Sequence, residues 1–243
     1  MGIRMIENLL PAQAVRFLQQ QCARLAVPNQ VPRPWHYAEL HNPWARAAAL
    51  YDSWGFLALC ESPALLDAIA TQIGEDIILF DSEWLPARWP PPVPEGALES
   101  DAHRFPVAPS RGVTALIAFA DPPEAMIHLA AHSTPTTQAD RLPHESFKLR
   151  CASVLLVDAQ IPYRVQSCRA DGLPPIFVAR FFPSSSRYVR DPTAPVHRAL
   201  TDRYPLFNYA RMPLWLVRGE DRAQNDFVTG FNARAGYWTS AGT

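Results

Sequence analysis

Glycine is scarce, with 10 residues in 243, which leaves little material for a backbone cradle around phosphate. No Gly-x-x-x-x-Gly-Lys run, dinucleotide fingerprint or Gly-x-Ser-x-Gly elbow occurs. Basic excess is missing too. Lys and Arg number 22 against 23 Asp and Glu, for a net charge of −1 and a pI near 6.6. That argues against nucleic acid or an anionic membrane as partner. Four cysteines, Cys22, Cys60, Cys151 and Cys168, lie far apart with no CxxC pair, so neither a zinc signature nor a disulfide framework follows. No apolar run approaches the ~18 residues of a membrane span, and no charged stretch followed by an apolar one opens the chain. The expectation from these absences is a soluble, cytoplasmic protein.

What is present is an ample core and much proline. Hydrophobic residues make up 48% and charged residues 19%, a balance that excludes global disorder. The 25 prolines are about twice average usage and predict many loops and few long helices. No repeat or internal boundary is visible. The chain therefore reads as a single domain over 1–243, with a helical part at about 1–75 and strands at about 76–218.

Periodicity predicts a helix over 6–27, with Leu9, Leu10, Ala14, Val15, Leu18, Cys22 and Leu25 on one face, Pro11 in its first turn and Pro28 as its stop. A second helix is expected at about 44–54. A third runs from Ser62 as N-cap, through Pro63, Leu65, Leu66, Ile69 and Ile73, to Gly74 as C-cap. From Asp76 the period changes. Strands are predicted at 77–85, 111–119, 125–131, 147–157 and 176–182, with shorter pieces at 188–190 and 212–218 and one more helix within 196–209. Helices followed by several strands give an α+β class built on a sheet sandwich or barrel.

The order of segments resembles a family. Leu65-Leu66-Asp67-Ala68-Ile69-Ala70-Thr71-Gln72-Ile73-Gly74 and the strand after it, Glu99-Ser100-Asp101 with Phe105-Pro106-Val107, Val113 to Phe119, Ala125 to Ser133 with His128 and His132, and Ser153 to Phe182 follow one another as in the phytanoyl-CoA dioxygenase-like branch of the iron(II)/2-oxoglutarate oxygenases. The resemblance covers roughly 44–182. It implies a double-stranded β-helix, the jelly-roll or cupin-like barrel of that family, behind an N-terminal helical layer. It also implies where a metal site would be built, and the chain departs from the pattern there. Family members hold iron(II) with two histidines and a carboxylate. Here Glu99 stands at the first histidine position, Asp101 keeps the carboxylate, and Tyr163 stands at the distal histidine. The arginine that grips 2-oxoglutarate falls at Pro175, and proline cannot form a charged fork. The facial triad is degenerate.

Taken as chemistry, Glu99 and Asp101 are two apart and share a face if the stretch is extended. They are candidate metal ligands with Tyr163, or candidate general bases. The plainer reading of the pair is neutralisation by nearby arginines such as Arg104 or Arg164. His103, His132 and Tyr163 are candidate substrate-binding residues, and a one-step slip of register would make His103 a ligand. Arg180, Arg187 and Arg190 read as surface or structural charges more than as anion clamps, although an acidic ligand would suit them.

Two functions follow. One is a small-molecule-binding, biosynthetic protein that has lost the standard site, so that no cofactor is expected and an active oxygenase relative is a candidate partner. The other is a tailoring enzyme with a non-standard metal site or metal-independent acid/base chemistry. On either, iron(II) and 2-oxoglutarate bind only if the departures are compensated.

Overall fold

The computed structural model describes residues 2–26, 33–85, 98, 100–120, 125–130, 144–167, 176–203, 208–227, 231–232 and 237–238. Among them the first strand, β1 (Ile3–Ile6), precedes α1 (Ala12–Ala23), α2 (Ser53–Cys60) and α3 (Pro63–Ile73). Then come β2 (Ile77–Leu85), β3 (Val107–Ala108), β4 (Val113–Ala118), β5 (Ala125–Ala130), β6 (His144–Lys148), β7 (Val154–Asp158), β8 (Tyr163–Ser167), β9 (Ile176–Pro183) and β10 (Arg187–Tyr188). The helix α4 (Pro195–Arg203), β11 (Trp215–Arg218) and a hairpin of β12 (Phe231–Asn232) and β13 (Tyr237–Trp238) complete the chain. The class is mixed α and β, as expected.

Six strands form one antiparallel sheet in the order β1-β7-β4-β9-β2-β11, and β6-β5-β8 form a second. From β4 onward the chain moves between the two, with β4 in the large sheet, β5 and β6 in the small one, then β7, β8 and β9 in turn. Every residue of β4, β7 and β9 is buried, so both faces of the large sheet are covered. One face carries Val113, Ala115, Ile117, Val154, Leu156, Phe177, Ala179 and Phe181, which pack with α1, α2 and α3 through Leu18, Phe56, Leu65 and Ile69. The other carries Leu116, Leu155, Val157, Ile176 and Val178, which meet Ile127, Leu129 and Tyr163 of the small sheet. The fold therefore has three layers. No single described helix is long and apolar enough to cross a membrane, and the bent pair α2–α3 that passes by composition contributes Phe56, Leu65 and Ile69 to this core.

The expected helix over 6–27 is shorter, because the first residues pair with β7 as an edge strand and Pro11 sits at the N-cap instead of inside the first turn. The expected helix over 44–54 is a single 3-10 turn, Arg46–Ala49. The true helix starts at Ser53, where the Asp52 carboxylate accepts from Gly55 N at 3.0 Å. α3 keeps its Pro63 start and its Gly74 stop, the latter at φ +89°, a conformation that favours glycine. The predicted strand 147–157 is two strands in different sheets. The turn between them, closed by Ser153 N donating to Arg150 O at 3.0 Å, places Ala152 at φ +67°, and no glycine or proline marks it.

After β2 the chain returns by a one-turn 3-10 helix, Asp101–Arg104, to β3 and β4. This return is held close. A methyl on Gly112 would lie 2.1 Å from Phe105 Cε1, so only a hydrogen lets the Phe105 ring seat beside Phe80 at 4.9 Å. Gly112→Ala is expected to destabilise the protein by about 1–3 kcal/mol through overpacking, read as a lowered urea midpoint. An unchanged midpoint would show that Phe105 is not seated there.

Candidate functional site

A β-bulge organises the interior between the sheets. In β2, Leu79 pairs with Phe181 and Asp81 with Arg180, so Phe80 is one residue too many. Strand side chains alternate, and the extra residue reverses the alternation. Before it, Leu79 faces the helices and Phe80 the opposite side. After it, Trp84 faces the helices, while Asp81 and Glu83 reach Arg180.

Arg180 has no exposed surface and keeps its charge at any working pH. Its Nε donates to Asp101 Oδ2 at 2.9 Å, Nη1 to Asp81 Oδ2 at 2.8 Å, and Nη2 to Glu83 Oε1 at 2.6 Å. Arg104 donates to Glu83 Oε1 as well, and its Nε lies 3.8 Å from Asp101 Oδ1. Two neutral donors complete the cluster: Thr114 Oγ1 and the Tyr163 hydroxyl both donate to Asp101 Oδ2, at 2.8 and 2.9 Å. Three carboxylates thus converge on two guanidiniums.

Burial sets the proton balance. It favours the neutral form of each acid, but at Asp101 the Arg180 and Arg104 charges and the hydrogen bonds outweigh it and hold the carboxyl well below its usual range. Glu83 is lowered in the same way by Arg104 and Arg180 against its own burial. At Asp81 burial wins: with Glu83 adding repulsion against the pull of Arg180, its pKa rises to about 6. Beyond it Glu39 is raised to about 7, by burial first and by Asp81 next. Burial and the Asp101 charge push the Tyr163 phenol well up, so it is a neutral donor and not a phenolate.

Asp101 and Tyr163 are therefore brought together, although Asp101 opens a 3-10 turn and does not lie on a strand as expected. His103 lies in the same turn. Glu99, His132 and Pro175 lie outside the described residues. His128 alternates with the inward Ile127 and Leu129, and its ring contacts Ser146 Oγ at 2.9 Å and Gln166 Oε1 at 3.0 Å, on the face turned from the network. Sequence reasoning placed Arg104 as a neutralising charge and Arg180 as a surface or structural one, of which the structure shows the structural role, but it missed Asp81, Glu83 and Thr114 as their partners. The signal for that pairing was the position of the arginine, alone inside the apolar run 176–182, together with two acids two apart inside another apolar strand.

No family model matches the sequence, and no curated protein matches it. Solved structures do match. The epimerase SnoN, solved with Fe3+, alpha ketoglutarate and nogalamycin RO, superposes with a TM-score of 0.59 at 16% identity, over 85% of this chain and 87% of its own. The non-heme monooxygenase ThoJ, as its nickel complex, gives 0.54 at 15%, over 91% of this chain and 80% of its own. CytC3 gives 0.55 at 13%, over 92% and 87%. The likeness is one of fold.

Among the described residues no group of three or more His, Cys, Asp or Glu side chains could hold a metal ion. Asp101 Oδ2 already accepts three hydrogen bonds, near the limit of an oxygen's acceptor capacity. The cation among Asp81, Glu83 and Asp101 is a guanidinium.

Stability follows from this cluster in two ways. Arg180→Ala leaves three buried carboxylates facing Arg104 alone, and a loss of about 3–5 kcal/mol in urea unfolding is expected. A loss under about 1 kcal/mol would mean the ion pairs are solvated. For pH, the folded pKa of Asp81 lies above the ordinary aspartate value of 3.8. The folded state thus binds this proton more tightly, and stability falls as pH rises from about 4 to about 6, by up to about 3 kcal/mol for the whole shift. Asp101 and Glu83 act oppositely, losing stability as pH falls below their unfolded values. Asp81→Asn is expected to flatten the decline between about pH 4 and 6. A slope unchanged in that variant would place the titration elsewhere.

Proposed function

We propose that this chain is a small-molecule-binding protein on a double-stranded β-helix of the phytanoyl-CoA dioxygenase-like branch of the iron(II)/2-oxoglutarate oxygenases, and that an arginine–carboxylate cluster has replaced its metal centre. The movement of the chain between two sheets and the likeness to SnoN support the fold. The single observation that carries the loss of iron chemistry is Arg180, with no exposed surface, donating to Asp81, Glu83 and Asp101 together. A ferrous ion at Asp101 would have to displace a guanidinium, a threonine hydroxyl and a phenol, and would gain mostly oxygen donors, which suit harder cations. SnoN comes from nogalamycin biosynthesis, and a biosynthetic role, as accessory to an active oxygenase relative, is proposed here by that analogy. The chain is read as one cytoplasmic domain.

A second reading is favoured by the geometry at Asp81, buried beside Glu83 on the one Arg180 guanidinium: burial and the neighbouring charge push its pKa up to about 6, in the range of a working general base or acid. On this reading the protein is a metal-independent tailoring enzyme. Asp81 would move the proton, since Asp101, held strongly acidic by its guanidiniums, is a poor base.

The test is anaerobic reconstitution with iron(II), titration with 2-oxoglutarate while following the metal-to-ligand charge-transfer band, then assay of succinate in oxygen. No band and no succinate above a metal-free control are expected. Stoichiometric binding with succinate release would overturn the proposal.

A further inference from the structure

A second constellation lies after β10 and shares no residue with the Arg180 cluster. Arg190 is half-buried and fixed from four sides. Its Nη1 donates to Ala210 O at 3.2 Å and to Met212 O at 2.5 Å, its Nη2 to Asp226 O at 2.5 Å, and its guanidinium carbon sits 4.4 Å from the centre of the Tyr188 ring. Tyr188 is itself anchored, its hydroxyl donating to Tyr209 O at 2.8 Å and its N–H to Asn225 Oδ1 at 2.7 Å. This arginine is held by carbonyls and a ring; the carboxylate that acts on its charge is that of Asp226. Its Nε is buried with no hydrogen-bond partner.

Arg190 forms one wall of a cavity of about 420 Å³, lined also by Pro192, Asn208, Ala210, Arg211 and Asp226. That volume lies within the range of about 300–1,000 Å³ that small-molecule sites occupy. Arg211 is exposed and forms no ion pair among the described residues. The lining thus sets two guanidiniums and an amide against one carboxylate. A planar cation already immobilised loses little entropy on gripping an oxyanion, and a pocket with a surplus of positive charge attracts one.

We infer that this cavity binds a small oxyanion, a carboxylate or a phosphate, between Arg190 and Arg211, with Asn208 donating to it and Asp226 limiting its charge. The occupancy does not depend on what the Arg180 cluster does.

Calorimetric titration of the full chain at fixed ionic strength, with inorganic phosphate in one arm and succinate in the other, tests this. Saturable binding of at least one ion is expected at about millimolar or tighter Kd. The tighter arm identifies the source as phosphate or carboxylate. Arg211→Gln is expected to weaken binding about threefold to fivefold and Asp226→Asn to tighten it by a similar factor, both with unchanged circular dichroism. Arg190→Gln should abolish binding. Because that variant also loses contacts to three carbonyls, the opposite responses of the other two keep the test decisive if it fails to fold. No saturable heat in either arm, or equal affinity in wild type, Arg211→Gln and Asp226→Asn, would overturn the inference.

Discussion

A fully buried arginine cannot shed its charge, so everything around Arg180 has to answer it. Three carboxylates do, from two different elements: Asp81 and Glu83 on β2 and Asp101 on the turn before β3. Isolated in a low-dielectric interior, any of these ions would be strongly destabilising, and together they are mutually required. The network therefore ties the turn 101–104 to the large sheet. That attachment fixes where the chain re-enters β4, and so the interior as a whole.

The same arithmetic bears on chemistry. Two guanidiniums cannot fully offset three carboxylates, and the surplus falls on the member with the weakest compensation. Asp101 accepts from Arg180, Thr114 and Tyr163 and stays ionised, while Asp81 has a single strong donor and rises to about 6. Two acids on one cation thus reach opposite proton affinities: the Arg180 and Arg104 charges and the hydrogen bonds outweigh burial at Asp101, whereas burial and Glu83 repulsion win at Asp81. Superposition with SnoN at 16% identity is compatible with any of these chemistries, since function lives in the site and not in the fold.

Much of the scaffold was legible because its signals are local. Pro63 and Gly74 bound α3 through backbone preferences of single residues, whereas Ser62 stands at the N-cap without a side-chain hydrogen bond to the helix. The runs 77–85, 113–119 and 176–182 announce buried strands by apolarity alone, and they are β2, β4 and β9. The strand β1 was missed because four residues with an edge partner some 150 positions away carry no periodic signal. The split of 147–157 was missed because its turn rests on Ala152, a residue that does not favour a positive φ.

The sequence by itself determined the mixed class, the helical start, the main strands and the fact that Asp101 and Tyr163 were worth watching. Only the tertiary structure decided what they face. Arg180 meets partners 79, 97 and 99 positions away, and it does so because Phe80 bulges and turns Asp81 and Glu83 inward. Register and bulges depend on strand pairing over long separations, which no local preference encodes. One residue more or fewer in β2 would send both acids to the other face.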